Sequence, residues 1–262
     1  MTSAAGGKWA DLAPRLATSA VLIAVGVVAI YLGGAWFAAL VALSIGLIAW
    51  ELSRMAQSPR AVPVGVLSGL CCLGMLWLPD GWGLPLVLVP VLASQPTLRR
   101  AHLAHAVFLS LATLAGYGLV DLRGAASPGW LVWLVLIVAA TDIFGYFAGR
   151  LLGGPKFWPR ISPKKTWSGT VAGWIGALAV GAVVWAQGAA GPEIMAVSVA
   201  VSMASQLGDI AQSALKRHVG VKDSSNLLPG HGGVFDRFDG VLGAAVFLLL
   251  VEQIIDFPPV PA

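Results

Sequence analysis

The sequence is poor in charge. Asp, Glu, Lys and Arg make up 11% of its 262 residues, where a soluble domain carries roughly 25%. A chain so short of solvating groups is not an ordinary soluble enzyme. Cysteine is nearly absent as well. The two present, Cys71 and Cys72, are adjacent in one apolar run. That arrangement excludes a disulfide framework and a thiolate zinc site, and leaves a packing role. No Cys/His cluster occurs elsewhere. The apolar runs lack the alternation of a membrane strand, which excludes a β-barrel. No repeat of 20–50 residues and no low-complexity tail is found.

What is present is hydrophobic residue, 58% of the chain, set in blocks of the length a bilayer-crossing helix needs, about 20 residues. The predicted class is an all-α, polytopic integral membrane protein with about nine transmembrane helices and a polar site on the cytoplasmic side. The spans fall at roughly 17–33, 35–50, 61–78, 82–94, 102–120, 129–149, 169–187, 192–215 and 240–255. The fourth is short for a span. The first follows Lys8 and Arg15, and its length with no small-residue cleavage site after it favours a retained helix over a cleaved signal. An amphipathic piece around Trp9, Leu12 and Leu16 suits the membrane interface before it. The Pro-rich end, Phe257–Ala262, reads as a frayed terminus.

With the N-terminus inside, every one of the 16 Lys and Arg residues except Arg123 falls on the inner side. Such asymmetry sets the orientation as cytoplasmic N-terminus and external C-terminus. The net charge of +4 then belongs to a cytoplasmic face suited to anionic lipid and nucleotide, not to nucleic acid. Residues 1–128 form an N-terminal region of about five spans. Their polar content sits in short connectors such as Glu51–Arg60 and Gln95–His102. Residues 129–262 form the region carrying the chemistry, about four spans with cytoplasmic loops at 150–168 and 216–239.

Three clusters of candidate residues lie there. Asp142 stands eight residues before Arg150, about 12 Å down a helix from the charged end. A carboxylate at that depth is expensive unless it serves a function. Gly145 and Gly149 have the spacing of a close helix contact. The loop up to Gly169 holds Ser162, Lys164, Lys165, Thr166 and Ser168 just before a helix start, where phosphate is favoured. Asp209, Ser213, Lys216 and Arg217 share one helix face. They lead into a stretch with Lys222, Asp223, His231, Gly232, Gly233, Asp236, Arg237 and Asp239. Cations, carboxylates and a glycine turn suit a polyphosphate with its Mg²⁺. His231, between glycines, reads either as exposed or as a phosphate contact. Asp223 and Asp239 read either as ion-pair partners or as site residues.

The run Ser213-x-Leu215-Lys216-Arg217-x4-Lys222-Asp223-x-Ser225-x2-Leu228-Pro229-x-His231-Gly232-Gly233-Val234-x-Asp236-Arg237-Phe238-Asp239 resembles the full signature of the phosphatidate cytidylyltransferases, or CDP-diacylglycerol synthases. Gln206-x-Gly208-Asp209, Ser162-Pro163-x-Lys165-Thr166 and Asp142-x-x-x-Tyr146-x-x-Gly149-Arg150 are similar to that family too. Ser168 stands where many members carry Glu or Gln. The resemblance covers about 140–240 in detail and only the apolar character before that.

It implies a nucleotidyltransferase of phospholipid biosynthesis that converts CTP and phosphatidic acid to CDP-diacylglycerol and pyrophosphate. It implies Mg²⁺ on Asp209 and Asp236, and allows K⁺ beside it. It also implies a homodimer in the bacterial inner membrane. Asp142, Lys216 and Arg217 join the two aspartates as catalytic candidates. The resemblance implies substrate binding by Ser162, Lys164, Lys165, Thr166, Ser213, Lys222, Asp223, His231, Gly232, Gly233, Arg237 and Asp239.

A CDP-alcohol phosphotransferase is disfavoured, because the compact Asp-Gly-x-x-Ala-Arg string is absent. A CTP-dependent polyprenol or lipid kinase is the alternative within enzymes. A secondary transporter with Asp142 and Asp209 on an ion path is the alternative outside them.

Overall fold

The computed structural model describes residues 12–79, 82–125, 127–254 and 257. Trp9 and the Pro-rich end beyond Phe257 lie outside the described residues. Nine α-helices occur among the described residues: α1 Leu12–Leu32, α2 Gly34–Met55, α3 Ala61–Met75, α4 Leu88–Ser94, α5 His102–Ala125, α6 Pro128–Leu151, α7 Trp167–Ala186, α8 Ile194–His218 and α9 Phe235–Val251. They stand where the nine apolar blocks are. Five of them, α2, α5, α6, α7 and α8, are long and apolar enough to cross a membrane by length and composition.

Three differences from the sequence reading have local causes. The block at 82–94 is a 3₁₀ turn, Leu84–Val87, followed by the seven-residue α4. Pro85 and Pro90 punctuate it and remove backbone donors. The loop at 150–168 contains a small antiparallel hairpin, β1 Lys156–Trp158 with β2 Ser162–Thr166, so the chain is all-α apart from this ribbon. The last helix starts at Phe235 rather than at 240, which puts Asp236, Arg237 and Asp239 on its first turns instead of in a loop.

The chain divides into two compact units. The first comprises 1–110 and 221–237, the second 111–220 and 238–262. The stretch 221–237 thus packs with the N-terminal helices rather than with the segments that flank it in sequence.

In the first unit α2 and α3 pack backbone to backbone. A Cβ on Gly65 would meet the Gly46 carbonyl oxygen at 2.7 Å, an approach that only small residues permit. The end of α2 is tied to the segment after α4. Arg100 Nε donates to the Met55 carbonyl at 2.8 Å, Ser58 and Thr97 share a hydroxyl bond of 2.7 Å, and Ser53 Oγ lies 3.0 Å from His105 Nε2.

In the second unit α6, α7 and α8 form the body. The helix α8 carries a polar stripe, in which Ser198, Ser202, Gln206, Asp209 and Ser213 recur every three or four residues, and ends in a basic turn. A polar stripe on a membrane helix faces its neighbours, where it finds partners. Ser198 Oγ accepts from Trp133 Nε1 at 3.1 Å, Ser202 bonds Thr141 at 2.7 Å, and Gln206 accepts from Trp174 Nε1 at 2.9 Å and donates to the Thr170 carbonyl at 3.2 Å. The expected close contact at Gly145 is present, with Gly169 of α7 opposite it.

Candidate active site

The stripe on α8 presents Asp209, and the hairpin delivers a cation to it. Lys165 Nζ lies 2.6 Å from Asp209 Oδ2, with both side chains partly exposed, 25% and 33%. Ser213, one turn on, donates to Asp209 Oδ1 at 3.3 Å. Thr166 follows Lys165 and caps α7, its Oγ1 accepting from the Gly169 N–H at 3.2 Å, as a residue in the N-cap position does. Ser168 closes the base of the hairpin. It donates to the Gly153 carbonyl and bonds Thr166 Oγ1. Ser168 thus serves as a structural tie.

A cavity of about 410 Å³ opens against this group, lined by Asp142, Arg150, Lys164, Lys165, Thr166 and Gln206 among others. Its size is that of a small-ligand pocket, roughly 300–1,000 Å³. Arg150 is oriented by Tyr146, donating to its hydroxyl at 2.7 Å. Asp239, in the second turn of α9, lies within electrostatic reach of Asp209, Asp142 and Lys216. Asp239 thus adds a carboxylate from a third helix to the electrostatic surroundings of Asp209 and Asp142. Ser162 begins β2, and Arg217 lies exposed near the end of α8.

Among the described residues no three His, Cys, Asp or Glu side chains stand close enough to hold a metal by themselves. Mg²⁺ usually takes one or two carboxylates and fills its octahedron with water and substrate phosphate. The hard, sparse oxygen donors here suit an ion that arrives with a polyphosphate.

The signature stretch in the first unit is organised around two carboxylates. Asp236 Oδ2 accepts from Ser224 N at 2.8 Å, Ser224 Oγ at 2.8 Å and Gly233 N at 2.9 Å. Gly232 makes this turn possible: its φ is +82°, and a Cβ there would meet Asp236 Oδ2 at 2.8 Å. His231 Nε2 lies 3.0 Å from Ser19 Oγ of α1, so the histidine is engaged rather than merely exposed. Lys222, Asp223 and Arg237 are exposed.

The second carboxylate is Glu51, which the sequence reading placed in a connector. It is fully buried near the end of α2. Oε1 accepts from Ser225 Oγ at 2.6 Å and Val234 N at 2.9 Å. Oε2 accepts from Phe235 N at 2.7 Å and Ser224 Oγ at 3.2 Å. A carboxylate against the first N–H groups of α9 is favoured by the helix dipole and by charge-assisted hydrogen bonds. The signal in the sequence was a lone acid at the end of a long apolar run.

Fold and cavity define a helical membrane protein with a polar site lined by cations and a carboxylate. The chain belongs to the Cytidylyltransferase family, whose match runs over residues 13–255. It is similar to the phosphatidate cytidylyltransferase of Brucella suis, 48% identical over 147 residues, covering 54% of this chain and 54% of that protein. The Bacillus subtilis protein of that name is 39% identical over 145 residues, covering 54% of this chain and 50% of its own length. The Helicobacter pylori one is 36% identical over 169 residues, covering 62% of each. The chain thus spans about half to three-fifths of the length of these relatives.

Proposed function

We propose that the chain is a phosphatidate cytidylyltransferase, joining CTP and phosphatidic acid into CDP-diacylglycerol with release of pyrophosphate. The observation that carries this reading is the cavity in which Lys164, Lys165, Arg150 and Thr166 stand beside Asp142, against the stripe that presents Asp209. An oxygen of the lipid phosphate attacks the α-phosphorus of CTP, and the bond to the pyrophosphate oxygen breaks in line. The nucleophile is already anionic, so little proton transfer is needed. Charge neutralisation and alignment are what the protein supplies.

Arg150, Lys164 and Lys165 hold the triphosphate in this reading. Lys216, Arg217, Lys222 and Arg237 add positive charge, and His231 contacts phosphate. Asp209 and Asp236 are each proposed as Mg²⁺ ligands. The chemistry an ion held by these carboxylates would supply is neutralisation of phosphate oxygens, with K⁺ allowed beside Mg²⁺. Lys165 exchanges Asp209 for nucleotide phosphate when substrate arrives.

The reading includes a homodimer in a bacterial inner membrane, with the N-terminus and the active site on the cytoplasmic side. The test is a product assay with purified protein, radiolabelled CTP, phosphatidic acid and Mg²⁺. Labelled CDP-diacylglycerol with pyrophosphate is expected. Transfer of the terminal phosphate to a lipid alcohol, leaving CDP, would move the assignment to a CTP-dependent lipid kinase.

A further inference from the structure

The first unit holds two cavities that share a wall. One is an apolar groove of about 550 Å³ between α2 and α3, lined by residues such as Ala39, Leu43, Val62 and Leu70. The other is a polar cavity of about 430 Å³, lined by Arg54, Arg100, Ser224, Ser225 and Asn226. Trp50 and Leu227 line both. The sequence reading left this region without a role.

The two arginines are set in place rather than loose. Arg54 sits over the Trp50 ring, its Cζ 5.0 Å from the centroid. Arg100 is fixed by its bond to the Met55 carbonyl. Among the described residues neither arginine has a carboxylate within ion-pair distance. Glu51, the nearest acid in sequence, has its oxygens bonded by Ser224, Ser225, Val234 and Phe235. Two guanidiniums in one cavity repel each other, and an anion there relieves the repulsion. Arginine forks match phosphate oxygens in particular.

In a bilayer an apolar groove alone recognises nothing, because lipid tails are as apolar as the groove. A groove that adjoins an arginine-lined cavity suits an amphiphile with an anionic head. Tryptophan at the junction suits the boundary between chain and head group. We propose that this pair of cavities binds phosphatidic acid, with acyl chain between α2 and α3 and the phosphate monoester between Arg54 and Arg100. Naming that lipid rests on the cytidylyltransferase reading above.

Direct binding in the absence of CTP tests the site separately from turnover. Purified protein in detergent is titrated with long-chain phosphatidic acid and with phosphatidylcholine of the same chains, and binding is read by native mass spectrometry. The double variant R54Q/R100Q is expected to weaken phosphatidic acid binding about tenfold or more, with phosphatidylcholine unchanged. Ala39 is exposed in the groove, so Ala39→Phe fills it without disturbing the arginines. This variant is expected to weaken long-chain phosphatidic acid but not its dihexanoyl form. In assays of turnover, R54Q/R100Q is expected to raise the KM for phosphatidic acid and leave the KM for CTP in place.

Unchanged phosphatidic acid affinity in both variants overturns the proposal. So does equal weakening of the two lipids, which would mean that the arginines serve only the end of α2. Selective binding without CDP-diacylglycerol formation would sink the enzymatic reading and keep the anionic-lipid site. Turnover with an unaltered lipid KM in the variants would do the reverse.

Discussion

Glu51 accepts the backbone N–H of Phe235 at 2.7 Å across 184 residues of sequence. With its bonds to Val234, Ser224 and Ser225 it fastens the signature stretch to α2 and fixes where α9 begins. Glu51→Ala would leave the Ser225 hydroxyl and the Val234 and Phe235 N–H groups without this acceptor, while Ser224 keeps its bond to Asp236. The expected loss is about 3 kcal/mol or more, read as a lower apparent melting temperature in detergent together with faster proteolysis within 221–234. Glu51→Gln keeps one oxygen but turns an amide NH₂ toward donors, so it should fall between parent and alanine variant. A melting temperature equal to the parent's in Glu51→Ala would remove Glu51 from this role.

No local pattern announces that contact, because it joins residues more than 170 positions apart. The sequence showed only an acid near the end of an apolar helix. The helix start just after Thr166 was legible, whereas the cap that Thr166 itself makes there was not. The polar face carrying Asp209 and Ser213 was legible from its spacing alone. The hairpin was not, because Ser162–Thr166 contains Pro163 and two lysines and lacks the apolar alternation of a strand. The early start of α9 was hidden because Asp236, Arg237 and Asp239 read as loop until Glu51 is seen against the helix N-terminus.

Asp236 organises its turn through one oxygen, with Ser224 and Gly233 as donors. Asp236→Ala removes that acceptor and should loosen the turn, giving new protease cleavage near 230 and loss of activity. Asp236→Asn can present its amide oxygen to the same donors, so the turn should hold while activity falls by about 10²-fold or more. An Asp236→Asn protein with parental activity would limit Asp236 to a structural part.

The distribution of Lys and Arg predicts a cytoplasmic N-terminus and an external C-terminus. Single cysteines at Ser3 and Pro261, in a background with Cys71 and Cys72 replaced, should react with an impermeant maleimide from opposite sides of the membrane. Labelling of both from one side would contradict an odd number of spans.

The sharpest prediction concerns Lys165 and Asp209, 2.6 Å apart and both partly exposed. If the pair only stabilises the fold, its worth is small at that exposure. Lys165→Met and Asp209→Asn would then each cost little, and the double variant would work. If the pair is the resting form of a site in which Asp209 turns to Mg²⁺ and Lys165 to phosphate, the outcome differs. Each single variant should lose activity by about 10²–10³-fold while extracting and melting nearly like the parent. Combining them removes both charges together and should leave the melting temperature near the parent's, yet restore no activity. Initial rates across a Mg²⁺ series complete the test: Asp209→Asn should need more Mg²⁺ for its residual rate, whereas Lys165→Met should show a raised KM for CTP. Recovery of activity in the double variant would make the contact an ordinary ion pair and remove Asp209 from the proposed metal site.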